Sequence, residues 1–443
     1  MKPRPRFVAS FAFAIVATSF SSALAQSTPR AYFGARLIPV SSPPVDDGVL
    51  VVHKGKIVAA GPRATTSVPL DAERIDLPGK TIMPGLVDTH SHVGGGWGAD
   101  GSAPIQPGVR MLDAVDCRDA GFQRAQAGGI TTINVLSGSG HLMSGQTLYV
   151  KNKDARTVEA MSYRFADGSP MGGMKMANGT NSHDPPPFPG SRGKSAALVR
   201  ETFVAAIEYR KKLLAAGDDA SKRPARDLGH EAILELIDGR RIVHHHTHRH
   251  DDILTVLRLA KEFGFRTVLH HVSEAWKVAD EIAAAKIQCS LIVIDSPGGK
   301  LEAMDFDARS AAELEKRGAP ELVAFHTDDW ITDSRFFLRS PALAVRAGLS
   351  RTTALAGVTL NAAKMLDLGD RIGSLEAGKD ADFIVLSGDP LSIYTRVETT
   401  WVEGEKVFDL SDPQDRLWAE GGFGAGMERG GKICCLGEGA TAR

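Results

Sequence analysis

The chain has 443 residues, with 52 Lys and Arg against 53 Asp and Glu, for a formal net charge of -1. That balance gives no basis for binding nucleic acid or a charged membrane surface. A hydrophobic content of 43% over this length allows one large folded unit plus a smaller one.

The N-terminus reads as an export signal over residues 1–25. Lys2, Arg4 and Arg6 form a basic start, Phe7 to Phe20 is apolar, and Ala23-Leu24-Ala25 is a cleavage signal. The mature chain is expected to begin at Gln26, in the periplasm or secreted. The apolar stretch is short for a membrane span, and no later segment reads as one. Export permits disulfides, but Cys117, Cys289, Cys434 and Cys435 match no zinc spacing.

Residues 31–82 carry short β-like runs. Val49 to His53, the turn Lys54-Gly55-Lys56, and Ile57 to Gly61 read as a hairpin. The apolar run Ile82 to Thr89 then ends in His90-Ser91-His92. Alternate side chains of a strand share a face, so both imidazoles point the same way and make half of a metal site. A lone His-x-His is as readily a polar strand end. Three later strand-like runs also end in metal-ligand residues: His244-His245-His246-Thr247-His248, His270-His271, and His326-Thr327-Asp328.

Apolar strands are expected at Gly129 to Leu136, Arg241 to His246, Arg266 to His271, Ile287 to Asp295 and Glu321 to Phe325. Helical stretches separate them: Ala197 to Ala216, Asp252 to Phe263, Trp276 to Ala285 and Ala308 to Arg317. This alternation argues for a parallel α/β sheet whose length fits a (β/α)8 TIM barrel, with the site at the C-terminal strand ends. Gly94-Gly95-Gly96 lacks the spacing of a dinucleotide loop. The Pro/Gly-rich loop 178–195 is of the kind that carries substrate contacts. Ala381 to Leu386 reads as a strand and Thr400 to Phe408 as a hairpin. β-units near both termini suggest one β-domain assembled from both. The expected divisions are 1–25 signal, 26–82 and 371–412 the two parts of the β-domain, 83–370 barrel, and 413–443 a flexible tail.

Three motifs now identify a resemblance: Pro84-Gly85-Leu86-Val87-Asp88-Thr89-His90-Ser91-His92, Gly128-Gly129-Ile130-Thr131-Thr132, and Arg371-Ile372-Gly373-Ser374-Leu375-Glu376-Ala377-Gly378-Lys379-Asp380-Ala381-Asp382. The chain resembles the metal-dependent amidohydrolase superfamily, near imidazolonepropionase and the Xaa-Pro dipeptidases, over nearly the whole mature chain. The resemblance implies a (β/α)8 barrel with a flanking composite β-sandwich.

It also implies a ligand set for one or two divalent ions, zinc foremost. His90 and His92 come from the first strand, Lys175 from the fourth, His246 from the fifth, His271 from the sixth and Asp328 from the eighth. Lys175 is expected to be carbamylated and to bridge two ions, because an apolar setting favours the neutral amine. Strand alternation puts His244, His246 and His248 on one face and turns His270 away from the site. Among His244 to His250 the ligand is taken to be His246; the others would orient ligands or touch substrate. Asp329 and Asp333 read as loop residues beyond the site.

The implied chemistry is attack of metal-bound hydroxide on a small-molecule amide or dipeptide-like carbonyl. Asp328 serves as base and then acid, and His141 or His248 meets the oxyanion. Three other readings stay open. Cyclic amide hydrolysis, as in imidazolonepropionase, sits oddly with export. Deamination at a mononuclear site usually needs Glu where Arg249 stands, though Glu274 lies three residues after His271. The last is a binding protein that has lost catalysis. Such barrels often assemble into homo-oligomers.

Overall fold

The computed structural model describes residues 28–95, 100–293, 301–329 and 331–421. The export signal expected over 1–25, Cys434 and Cys435 lie outside the described residues.

One eight-stranded sheet contains strands from both ends of the chain. The order is Glu405–Asp409, Val397–Val402, Phe383–Leu386, Thr81–Pro84, Arg30–Leu37, Val45–His53 and Lys56–Pro62, with Glu73–Asp76 also paired to Arg30–Leu37. Both expected hairpins form. Their two-residue turns, Lys54-Gly55 and Glu403-Gly404, have positive φ at both positions, which matches the right-handed twist of the strands. The Tyr32 ring packs edge-on against Phe383, with centroids 5.1 Å apart, and Phe383 stacks on Trp401 at 5.4 Å. These aromatic contacts join N-terminal and C-terminal strands in one core. The strands from the two ends of the chain pair as one continuous sheet, because Arg30–Leu37 pairs on both its edges.

Thr81–Pro84 leads through Gly85 into the first strand of the α/β region. A Cβ on Gly85 would lie 2.2 Å from Thr131 Oγ1, so only glycine fits at this passage. The strands that follow are numbered β1 Leu86–Ser91, β2 Ile130–Val135, β3 Met143–Gln146 with Leu148–Lys151, β4 Met174–Ala177, β5 Val243–Thr247, β6 Thr267–His271, β7 Gln288–Leu291 and β8 Val323–Phe325. β1 pairs parallel with β2, and β4 to β8 form a parallel series.

β3 departs from the expected all-parallel order. Its first half pairs antiparallel with β4 and its second half antiparallel with β2, so it links the two sheets. Thr147 marks the change: its hydroxyl accepts from Gly173 N–H and its own N–H donates to the Gly173 carbonyl. At the other side, Asp328 N–H donates to the His90 carbonyl at 2.9 Å and connects the end of β8 to β1.

Helices separate the strands. α1 His250–Phe263, between β5 and β6, buries Ile253, Val256, Leu259 and Ala260, the spacing of one helical face. It stops at Gly264, in the left-handed conformation, whose N–H bonds the Ala260 carbonyl. Among the described residues no helix is long and apolar enough to cross a membrane. Within the segment expected to be a flexible tail from 413, residues Pro413–Glu420 form a helix, α2, opened by Pro at its first turn and by the Asp412 side chain accepting from Gln414 N–H.

The third sequence motif has a structural role. Asp380 and Asp382 close on Lys151 at the end of β3, with Nζ–O distances of 2.7 and 2.6 Å. All three are buried, and Lys56 and Arg371 also reach Asp380. Lys151→Met would leave the Asp382 carboxylate buried without its cation. Removing one partner of a buried pair costs about 3–5 kcal/mol. The thermal midpoint of the variant is expected to fall by several degrees; an unchanged midpoint would show that this staple carries no stability.

Candidate metal centre

The centre is built where β1, β5, β6 and β8 end. Asp88 on β1 accepts from Thr327 N–H at 3.1 Å, from the Thr327 hydroxyl, and from His90 N–H at 3.2 Å. Burial pushes its carboxyl up to about 7, against the pull of the Thr327 hydrogen bonds. The ends of β1 and β8 are thereby fixed together, and their ligand-type side chains meet. His90 Nε2 and His92 Nε2 lie 3.1 and 2.9 Å from Asp328 Oδ1. The Leu136 carbonyl, 2.8 Å from His92 Nδ1, can only accept, so Nδ1 carries a ring hydrogen.

A second group stands beside the first. His246, His248 and His271 bring ring nitrogens within 4.8 Å of one another. The His246 and His271 rings are 4.3 Å apart, and His248 stacks on His271 at 5.0 Å. His248 Nδ1 lies 2.8 Å from the Ser273 hydroxyl. Lys175, fully buried on β4, reaches His90 Nε2 at 3.4 Å. A Cβ on Gly173 would lie 2.4 Å from His244 Cδ2, so glycine there lets β4 lie close to β5.

Burial favours the neutral form of the His90 and His271 imidazoles, and the Asp328 carboxyl beside them is ionised. Burial alone would raise the Asp328 carboxyl, but His271, His92 and His326 outweigh it and hold it far below the usual range. Burial, reinforced by Lys175, keeps His90 well below its ordinary value, and burial does the same for His271. Neutral imidazole nitrogens and a carboxylate are the donor types zinc takes. Among the described residues His271 Nε2 is buried with no hydrogen-bond partner, a lone pair or hydrogen left without use there. The residues present fit a divalent ion.

His270 corrects the strand-alternation argument. It does face this interior: its Nε2 is 3.0 Å from His244 Nδ1, and with His90 and His326 it forms a third close trio. His271 reaches the site as well because the backbone leaves the strand there, with φ 71 at His271 and 42 at Val272. His245, the off-face residue of β5, bonds the His246 carbonyl instead. The structure does not bring His141 into any of the trios. Its Nε2 bonds the Asp100 carbonyl at 2.9 Å and its ring packs on Phe188.

Glu274 is committed elsewhere: it accepts from the His250 N–H at 3.0 Å and the ring at 2.6 Å, capping α1, and pairs with Lys277. Asp329 bonds Ser334 and lies near Arg124, while Asp333 caps the turn at Ser334. The sequence reading missed Thr89, Ser290 and Tyr149, whose hydroxyls bond one another or the interior histidines. Only their inward register on the strands could have pointed to them.

The amidohydrolase family model matches residues 81–409, from the last strand before Gly85 to the final strand of the mixed sheet. The crystal structure of an amidohydrolase from Thermotoga maritima MSB8 is 32% identical, with a TM-score of 0.78 over 86% of this chain and 99% of that one. Amidohydrolase tasK of Hapsidospora irregularis is 26% identical over 404 residues, 83% of this chain; the match spans 41% of that relative's length. Imidazolonepropionase of Erwinia tasmaniensis is 25% identical over 81% of this chain and 92% of its own. With a family match that covers most of its length and both ends of the α/β region, the chain belongs to the amidohydrolase family.

Proposed function

We propose that this chain is an exported, metal-dependent amidohydrolase that cleaves the C–N bond of a small amide or dipeptide-like substrate. The observation that carries the reading is the convergence of His90, His92 and Asp328 beside His246 and His271, with Lys175 buried against His90. We infer that β1 to β8 close into a (β/α)8 barrel through the Asp328–His90 backbone bond, with the mixed sheet as a second domain. Export rests on the basic, apolar and Ala-Leu-Ala pattern of residues 1–25.

His90, His92 and Asp328 would hold one ion, and His246 with His271 a second. The Lys175 amine, in its neutral form, would add to carbon dioxide, releasing a proton and giving a carbamate whose oxygens can serve both. Bound ions supply a lowered water pKa and Lewis acidity toward the substrate carbonyl. Asp328 is ionised and buried at the same place, so its carboxylate can take a proton from the attacking water and return it to the leaving nitrogen. With Ser273 donating to His248 Nδ1, His248 Nε2 carries a hydrogen that can meet an oxyanion.

Hydrolysis of a cyclic amide is the second reading, favoured by the imidazolonepropionase relatives. Parallel assays on N-acyl amino acids, Xaa-Pro dipeptides and an imidazolone ring separate the two. Deamination loses ground because Glu274 caps α1.

Two outcomes are expected. Treatment with 1,10-phenanthroline removes the hydrolysis, and added zinc restores it; full activity in metal-free protein would sink the reading. Asp328→Asn keeps bound metal, measured in parallel by elemental analysis, while turnover falls about 10²–10⁴-fold, the usual worth of a general base. Unchanged turnover in that variant would remove Asp328 from the proton transfers.

A further inference from the structure

Beneath His271 runs a chain of buried hydrogen-bonding groups that crosses from β6 to β1. His271 Nδ1 is 3.2 Å from His326 Nε2. His326 Nδ1 is 2.9 Å from Ser290 Oγ, and Ser290 Oγ is 2.6 Å from Thr89 Oγ1. Every member is at most 2% exposed, so water does not compete for these bonds.

We propose that His326, backed by Ser290 and Thr89, is a positioning residue that fixes the tautomer of His271 and so creates the second metal site. The inference rests on the metal-dependent reading above. A neutral imidazole has one N–H and one lone pair. Among the described residues the His271 Nε2 atom has no protein partner, so it must carry the lone pair if it is to bind an ion. The hydrogen then sits on Nδ1, and among the described residues His326 Nε2 is the atom close enough to accept it. The Asp328 carboxylate is 3.9 Å away, beyond hydrogen-bond reach.

The rest of the chain then has one consistent direction. His326 Nε2 accepts, so its Nδ1 carries the hydrogen and donates to Ser290 Oγ. The Ser290 hydroxyl donates in turn to Thr89 Oγ1. His326 and Ser290 each use one donor and one acceptor, and no two hydrogens or two lone pairs face each other. The chain also holds the ring in place. His271 sits in left-handed backbone, where the strand no longer dictates the direction of its side chain. Partners of this kind typically change metal affinity 10- to 100-fold.

The test is cobalt titration of the full-length protein, following visible absorbance and bound metal per chain. Wild type is expected to take two equivalents. His326→Leu should bind the first as before and the second 10- to 100-fold more weakly, with loss of the second spectral component. His326→Gln, whose side-chain carbonyl can accept from His271 Nδ1, should restore most of that affinity. Ser290→Ala should give an intermediate loss. Nitrogen-15 imidazole spectra of zinc-loaded protein should show His271 protonated at Nδ1.

If wild type takes two ions and all variants match it, the positioning role is overturned while the hydrolase reading stands. Three ions in wild type and two in His326→Leu would also overturn it, making His326 a ligand with His90 and His270. Wild type that takes no ion would overturn both. Should His326→Leu fail to fold, His326→Gln, Ser290→Ala and the tautomer spectrum decide alone.

Discussion

The Asp88 carboxylate holds the first and last strands of the α/β region to each other. It accepts from the backbone of His90 and from both the backbone and the hydroxyl of Thr327. His90 and Asp328 are thereby set within hydrogen-bond distance across a gap of more than two hundred residues of sequence. Without that contact the two halves of the proposed ligand set would sit on independent strand ends. A buried carboxylate is costly, and three directed bonds are what make it tolerable there.

The same logic recurs at the root of the structure. Lys151 at the end of β3 is gripped by Asp380 and Asp382, which lead into the C-terminal part of the mixed sheet. Around it, Gly85 N–H bonds the Asp382 carbonyl and Ala381 N–H bonds the Gly55 carbonyl. One short segment therefore touches the N-terminal hairpin, the entry to β1 and the end of β3. Ionic and backbone bonds at this node keep the strand that carries His90 in a fixed relation to the sheet behind it.

Much of this was legible in residues. The hairpins followed from Lys54-Gly55 and Glu403-Gly404, and the His-x-His pair announced the site at the end of an apolar run. The run Arg371 to Asp382 carried part of the family resemblance, but its partner Lys151 was invisible because the pairing spans long sequence distances. β3 escaped notice since Met143–Gln146 and Leu148–Lys151 are short and share their length between two neighbours. The orientation of His270 was misjudged because the alternation was counted from His271 as the inward residue, whereas the register sets His270 opposite the inward-facing His246. His271 ends that strand with a left-handed residue, and both neighbours then reach the interior.

That left-handed turn is itself informative. His271 and Val272 have φ of 71 and 42, and Asp328 has 50; none is glycine. Such conformations cost on the order of 1–3 kcal/mol each, most severely for a β-branched residue such as Val272. Two of the three are proposed ligands and the third adjoins one. The surrounding bonds show how the cost is offset: Val272 N–H donates to the Thr247 carbonyl, and Asp328 N–H to that of His90. A strand that simply continued would have alternated His271 away from the interior and placed His270 there alone. By breaking the strand at His271, the backbone sets one imidazole facing the centre and keeps another behind it, close to His244, His90 and His326. Strain at the strand end is thus the means by which two adjacent histidines serve one interior.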